Sequence, residues 1–332
     1  MKVLFLGGTG NISTACVEQA LAAGHEVSVL NRGQSPSPFA ARVKTIVGER
    51  GDTALLRSAA EAGSYDAVVD FLAYRPEQVQ AVIDTFGTRV GQYLYISSAS
   101  VYQRPVAHYV ITEDTPRANP FWEYARQKIA CEELLLAAHR SQGFPLTIVR
   151  PSYTYGPSWI PSGFGGQDYT VVDRIRRGQP IVCHGDGTGL WVMTASSDLA
   201  VGLVGLLGCK DALGEAFHIT SDEVLTWDGV YQTIGRAAGR EPQLVHAPSD
   251  LIAALYPERG GSLLGDKASS VVFDNGKIKR FVPEFRTRTS FAEGMVRSVA
   301  WFDADPARRT VSEKANAMID RVIAAQRRAW EG

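Results

Sequence analysis

The chain has 332 residues, 45% of them apolar and 21% charged, and a net charge of −1. That length holds one large α/β domain or a large domain with a small one, and the near-zero charge supplies no global field for nucleic acid or an anionic membrane. Four scattered cysteines without a C-x-x-C pair, dispersed histidines without zinc spacing and no run of about 18 apolar residues exclude a disulfide scaffold, a zinc module and a membrane span, and point to free thiols in a reducing cytoplasm.

Val3-Leu4-Phe5-Leu6 is a short apolar run of buried-strand type, broken by Gly7-Gly8-Thr9-Gly10. From 11 to 23 the apolar residues Ile12, Ala15, Cys16, Ala20 and Leu21 recur at helical spacing, and Gly24 stands where a helix ends in glycine. Residues 26–30 read as a second strand. Strand, glycine turn, helix, strand is a βαβ unit. Its turn offers backbone N–H groups at the positive end of a helix dipole. A dinucleotide pyrophosphate is the usual occupant, so Gly7, Thr9, Gly10, Asn11 and Ile12 are expected to hold one. One position departs: the third glycine of the fingerprint would fall at Ser13, which is small enough for close helix–strand packing. At the end of the second strand Asn31 and Arg32 replace the acidic residue that often accepts from an NAD ribose. A guanidinium suits a 2′-phosphate, so the sequence leans to NADP, with NAD left open.

Residues 43–47 predict a third strand, after which Glu49 and Arg50 border the adenine position. A helix over 53–62 and a strand over 66–73 follow, the strand's end (Leu72, Ala73) running along the cofactor. A helix over 76–86 has Pro76 in its first turn. The strand over 92–96 delivers Ser97-Ser98-Ala99-Ser100-Val101-Tyr102 to a carboxyl edge, where ligand chemistry gathers in parallel sheets. After a polar loop, Tyr124 and Lys128 lie four apart on a helix and share a face. An ammonium near a phenol lowers its pKa, and a nearby serine hydroxyl can bond the substrate oxygen. The three groups make a proton relay beside a nicotinamide. A strand over 146–150, a Gly/Pro-rich loop over 158–168 and a helix over 169–177 come next. The loop and helix are expected to face the substrate. A strand over 180–183, a helix over 198–207 and a strand over 216–219 complete this part. From about residue 221, helices (227–238, 291–302 and an amphipathic 310–330) and loops form the expected substrate cap. Basic clusters at Arg174, Arg176 and Arg177, at Lys277, Lys279 and Arg280, and at Arg327 and Arg328 read as solvated faces.

Taken together these residues resemble an extended short-chain dehydrogenase/reductase, the superfamily of the NAD-dependent sugar-nucleotide epimerases and dehydratases. The matching segments are Gly7-x-x-Gly10-x-x-Ser13, Ser98-Ala99-Ser100-Val101-Tyr102, Tyr124-x-x-x-Lys128 and Arg150-Pro151 through Tyr155-Gly156-Pro157. Gly185-Asp186-Gly187-Thr188 with Ser197-Asp198-Leu199-Ala200, and Phe273-Asp274-Asn275-x-Lys277, continue the match to near the end of the chain. The resemblance implies a Rossmann-type doubly wound parallel sheet with a smaller C-terminal α/β substrate-binding domain. Residues 1–157, completed by about 197–220, would form the first; 158–196 and 221–332 the second. It implies Tyr124 as the acid/base at a substrate carbinol or carbonyl, and Lys128 as the residue that holds the nicotinamide ribose and tunes Tyr124. Ser98 would bond the same substrate oxygen, with Ser97 and Ser100 competing for that role. Pro151 would lie on the cofactor and Ser100 and Trp191 on the substrate. NAD or NADP is the implied cofactor, a sugar or sugar nucleotide the implied substrate, and a homodimer through 76–86 and 121–139 the implied assembly. Leu134, Leu135 and Leu136 offer apolar surface there, though core burial explains them equally.

Two departures bear on substrate. Where nucleotide-sugar epimerases commonly clamp the diphosphate with arginine, this chain has Trp191, so Arg174 or Lys267 does that job or the substrate is not a nucleoside diphosphate. Packing accounts for Trp191 as well as binding does. Where the 4,6-dehydratases carry an Asp-Glu pair after the catalytic Ser/Thr, this chain has Ala99 and Ser100, which argues for epimerisation or carbonyl reduction. The deviations also resemble atypical members of the superfamily akin to chloroplast stem-loop RNA-binding proteins. A cofactor-dependent binding protein is therefore the second hypothesis. The intact Ser98, Tyr124 and Lys128 and the lack of a basic stripe weigh against it.

Overall fold

The computed structural model describes residues 1–35, 37–164 and 168–331, with side chains to 328. Pro36 and residues 165–167, in the expected loops 34–39 and 158–168, lie outside the described residues, as do the side chain of Trp330 and all of Gly332.

Val3, Leu4, Phe5 and Leu6 are fully buried because β1 (Lys2–Leu6) is an inner strand of a parallel sheet covered on both faces, where unbroken apolar runs belong. In order follow α1 (Asn11–Ala22), β2 (Glu26–Asn31), β3 (Lys44–Val47), α2 (Thr53–Ala62), β4 (Ala67–Asp70), α3 (Pro76–Phe86), β5 (Gln92–Ile96), β6 (Val110–Ile111), α4 (Glu123–Gln142), β7 (Leu146–Arg150) and β8 (Thr154–Tyr155). Then come α5 (Thr170–Arg177), β9 (Ile181–His184), β10 (Leu190–Val192), β11 (Thr194–Ala195), α6 (Ser196–Gly205), β12 (Ala216–His218), β13 (Val224–Thr226) and α7 (Trp227–Ala238). The remainder holds β14 (Leu244–Ala247), α8 (Ser249–Leu255), α9 (Pro257–Ser262), a π turn (Leu263–Lys267), β15 (Val272–Phe273), α10 (Gly276–Phe281), α11 (Phe291–Asp303) and α12 (Glu313–Glu331).

The main sheet has seven parallel strands in the order β12-β7-β5-β4-β1-β2-β3. The winding reverses between β1 and β4, so the carboxyl ends of these two strands open a crevice. Alternate residues of β1 feed opposite cores. Val3 and Phe5 pack with Cys16, Val17 and Ala20 of α1 and Leu199 and Leu203 of α6. Leu4 and Leu6 pack with Leu56 of α2, Val79, Val82 and Phe86 of α3, and Leu135 of α4. Leu135 is fully buried, and Leu134 and Leu136 lie half-buried against the same core, so sheet packing explains the triple leucine. Helix starts are set locally: the Asp52 carboxylate accepts from the N–H groups of Ala54 and Leu55 at 2.9 and 3.1 Å. Gly143 closes α4 in the left-handed conformation.

Three expectations are corrected. β4 is shorter than 66–73 because the Asp70 carboxylate takes the N–H groups of Leu72 and Ala73 (2.8 and 3.0 Å), turning the chain out of the sheet. The tail from 221 is not helices and loops alone: β13 pairs antiparallel with β10, β14 parallel with β9, and β15 parallel with β6. These strands run two to four residues and take their pairing from distant segments, so no local period announces them. α12 starts at Glu313, after a short 3-10 turn over Pro306–Arg308, rather than at 310. All four cysteines are free. Among the described residues no helix is long and apolar enough to cross a membrane.

Candidate active site

The crevice widens into a cleft of about 880 Å³. Its floor is the glycine turn. Gly7 and Gly8 take φ of +113° and +123°, and a Cβ on Gly8 would stand 3.0 Å from Val29 Cγ1. Ser13, the departure from the glycine fingerprint, is buried, and its Oγ accepts from the Gly10 N–H at 2.9 Å. The hydroxyl thus closes the turn that a third glycine would only have permitted. Asn11 ties the start of α1 to the start of β8 through Nδ2 to the Thr154 carbonyl, 2.8 Å away. Its Oδ1 is buried and has no partner among the described residues.

One end of the cleft is bordered by the loops after β2 and β3. The Gly33 N–H donates to Asn31 Oδ1 at 2.8 Å, which folds the chain so that Arg32 and Glu49 stand on the wall. Arg50 reaches the wall from below. It is buried and donates through Nη2 to Asp70 at 2.6 Å, and the Tyr93 hydroxyl donates to the same carboxylate oxygen at 2.9 Å. A buried guanidinium without that carboxylate would be strongly unfavourable.

At the other end Ser98, Tyr124 and Lys128 share the wall. Lys128 is buried and donates to the carbonyls of Ala73 (2.7 Å) and Ile96 (2.8 Å), its ammonium lying 4.7 Å from the Tyr74 ring centre and 4.8 Å from that of Tyr95. Burial lowers its pKa to about 8. Tyr124 packs against Trp122 and Tyr74. Burial raises its hydroxyl to about 12, opposed by a hydrogen bond with Ser98 and reinforced by the negative charge of Asp266. The expected lowering of Tyr124 by Lys128 does not operate in this state: the ammonium faces backbone carbonyls, 5.9 Å from the Tyr124 ring centre. Ser98 Oγ accepts from the N–H of Ser100 (3.2 Å) and its hydroxyl (2.9 Å), so Ser100 orients Ser98.

Gly7, Thr9, Gly10, Asn11, Ile12, Asn31, Arg32, Glu49, Arg50, Leu72, Ser98, Ser100, Tyr124, Lys128 and Pro151 all line this one cleft. Two expected residues do not. Ala73 is fully buried and contributes only its carbonyl, to Lys128. Trp191 is corrected from a substrate contact to a core residue: 1% exposed, its indole packs on Trp227 with ring centres 5.6 Å apart. Arg150 and Tyr102 of the motifs are structural. Arg150 holds the buried Glu132 at 2.9 and 2.7 Å, and Tyr102 bridges Arg150 to His218. The residues that sequence reasoning missed are Tyr74, Gln78, Trp122, Tyr153, Trp159 and Asp266. Trp122 lies two positions before Tyr124 and was open to suspicion; Asp266 comes from the distant π turn and had no local signal.

The cradle fits a dinucleotide: two glycines whose conformation and clearance exclude side chains, the N-terminus of α1 behind them, and a buried acceptor at Asn11 with no partner among the described residues. A family model described as the NAD dependent epimerase/dehydratase family matches residues 3–219. The chain is 27% identical over 259 residues to the chloroplast stem-loop binding protein of 41 kDa b from Arabidopsis thaliana, covering 74% of this chain and 65% of that one. It is 27% identical to 2′-dehydrokanamycin reductase of Streptomyces kanamyceticus, over 87% of this chain and 81% of that one. Among solved structures, UDP-glucose 4-epimerase from Thermotoga maritima superposes with a TM-score of 0.75 at 17% identity, over 92% of this chain and 99% of that one. The dTDP-glucose 4,6-dehydratase DesIV of Streptomyces venezuelae, with NAD bound, superposes with a TM-score of 0.73 at 23% identity, over 92% and 98%.

Proposed function

The chain belongs to the NAD dependent epimerase/dehydratase family, and from that premise we propose that it is an oxidoreductase acting at a secondary alcohol or ketone of a sugar or sugar nucleotide, in the manner of a 4-epimerase. The observation that carries the proposal is the shared wall: Ser98, Tyr124 and Lys128 face the same cleft that the glycine turn opens. NAD, when bound, would supply the hydride acceptor. The Tyr124 hydroxyl, as phenolate, takes the carbinol proton and returns it. Ser98 holds the same oxygen, oriented by Ser100. Lys128 has three donors and two are engaged by carbonyls, which leaves one N–H for a ribose hydroxyl. At the two positions after Ser98 there is no carboxylate to expel water, so the dehydratase route lacks its usual acid there. Residues 158–196 and 221–332 would hold the sugar, and the outer faces of α3 and α4 would pair two copies.

The test is the fate of the hydride. Protein carrying tightly held NAD, given a panel of sugars, glycosides and sugar nucleotides, should invert the carbinol of one of them with no net cofactor change. Steady consumption of NADH with a keto sugar instead supports net reduction, the second reading, which the likeness to 2′-dehydrokanamycin reductase favours. No hydride exchange with any sugar would end both readings. Sedimentation at micromolar concentration tests the pairing of copies.

A further inference from the structure

The charges on the cleft wall are unevenly placed. Among the described residues that line it, Arg32, Glu49, Arg50, Lys128 and Asp266 are the charged ones. Arg32, Glu49 and Arg50 belong to the end bordered by β2 and β3, and Arg50 is paired with Asp70. Lys128 faces two carbonyls. Asp266 is the acidic residue lining the Tyr124 end among the described residues, and its charge acts on the phenol.

Its position is built. It lies in the π turn, a geometry that re-aims side chains and recurs at functional sites. Asn119 is buried and clamps this turn to the serine segment, Nδ2 donating to the carbonyls of Gly265 (2.6 Å) and Ser100 (2.8 Å). Gly265 has no room for a side chain, since a Cβ would stand 2.9 Å from Trp122 Cβ. Arg104 and Lys267 flank the carboxylate at 3.5 and 3.7 Å without lining the cleft.

The two cations expected to clamp a diphosphate, Arg174 and Lys267, are engaged by other groups and do not line the cleft. Arg174 bonds Asp320 (2.6 Å), Asn316 (3.0 Å) and the Pro180 carbonyl (2.9 Å). The Lys267 ammonium lies over the rings of Trp122 and Tyr153, beside Asp266 and the Ser262 carbonyl. Trp191, at the usual arginine position, is in the core. Arg104 and Lys267 offset the charge of Asp266 from behind, but of the three only the carboxylate lines the cleft, so what it presents there is an acceptor for hydroxyl or ammonium donors and no donor for a phosphate oxygen.

We propose that Asp266 is the substrate-recognition residue of the cleft and that the site takes an unphosphorylated sugar through its hydroxyl or ammonium groups, not a nucleoside diphosphate. This rests on the reading of the cleft as a sugar site and narrows it. The probes are methyl glucosaminide, methyl glucoside and UDP-glucose, titrated into the NAD-loaded protein with tryptophan fluorescence as readout, since Trp122 and Trp159 line the cleft. Both glycosides are expected to bind roughly tenfold or more tightly than UDP-glucose. A tighter amino sugar assigns the contact to an ammonium; equal affinities assign it to a hydroxyl. Asp266→Asn should weaken the tighter glycoside by roughly tenfold with NAD affinity unchanged. UDP-glucose binding as tightly as either glycoside, no saturable signal with either, or an Asp266→Asn variant of unchanged affinity overturns the proposal. The wild-type comparison needs no variant to fold. None of these readouts depends on turnover, so failure of the Tyr124 chemistry would show separately, as absent hydride exchange.

Discussion

Tyr124 is a phenol held between two other aromatic rings, and burial holds its proton on up to about 12. Ser98 is the hydrogen-bond partner that favours its ionised form, against burial, so the phenolate needs a further positive charge beside it before it can act as base. Tyr124→Phe keeps the ring packing and removes the proton; turnover should fall by roughly 10²-fold or more while NAD affinity stays put. A variant turning over at near the parent rate would remove Tyr124 from the chemistry. Lys128 makes a pH prediction for the NAD-free protein. Its pKa is about 8 in the fold against 10.5 for the free side chain. Below pH 8 both folded and unfolded chains carry the charge, and the fold bears the full cost of burying it. Between about 8 and 10.5 the folded form sheds the proton first, the unfolded state binds more protons, and stability rises with pH. Lys128→Met lacks this term. The stability of the parent relative to the variant should therefore climb across that window by an amount on the order of 3 kcal/mol, read from urea midpoints; parallel curves would show the lysine is not penalised.

The glycine turn and α1 act as one device. Gly7 and Gly8 are required by positive φ, and Gly8 also by the approach of Val29. Gly8→Ala should strain the turn and weaken NAD binding by roughly tenfold or more, measured by calorimetry; unchanged affinity would mean the pyrophosphate does not sit there. Much of this element was readable in the chain, because the turn, the helix and both strands are contiguous and each has its own period or breaker. Ser13 was readable as tolerated but not as useful, since its bond to the Gly10 N–H is a matter of rotamer and burial. The π turn carrying Asp266 was not readable at all. Its conformation follows from Asn119 and Trp122 on a remote segment.

On the scale of the molecule, the cofactor should join the sheet's edge loops to the glycine turn. Any ligand bound only by the folded state stabilises it, by about 2.7 kcal/mol at a hundredfold excess over Kd. Arg32 stands at the cleft wall and Asn31 is occupied with Gly33, so among the described residues the end of β2 offers a ribose hydroxyl no carboxylate of its own, Glu49 coming from the loop after β3. NADP should then raise the melting temperature at least as much as NAD does, and Arg32→Ala should erase the NADP effect while sparing that of NAD. An NADP effect indifferent to Arg32 would place the 2′-phosphate elsewhere. The buried Arg150–Glu132 pair and the Tyr102–His218 bond show how motif residues can serve the frame rather than the reaction.

Local order was written in the chain: the apolar runs of β1 and β5, the glycine turn, the four-residue spacing of Tyr124 and Lys128, and the serine cluster at a strand end. Each depends on neighbours within a few residues, so periodicity and turn chemistry suffice to see it. The arrival of Asp266 on the cleft wall, the retreat of Trp191 into the core and the engagement of Arg174 and Lys267 depend on segments far apart in sequence. Only the packing of those segments decides which side chains reach the cleft and which are consumed by partners.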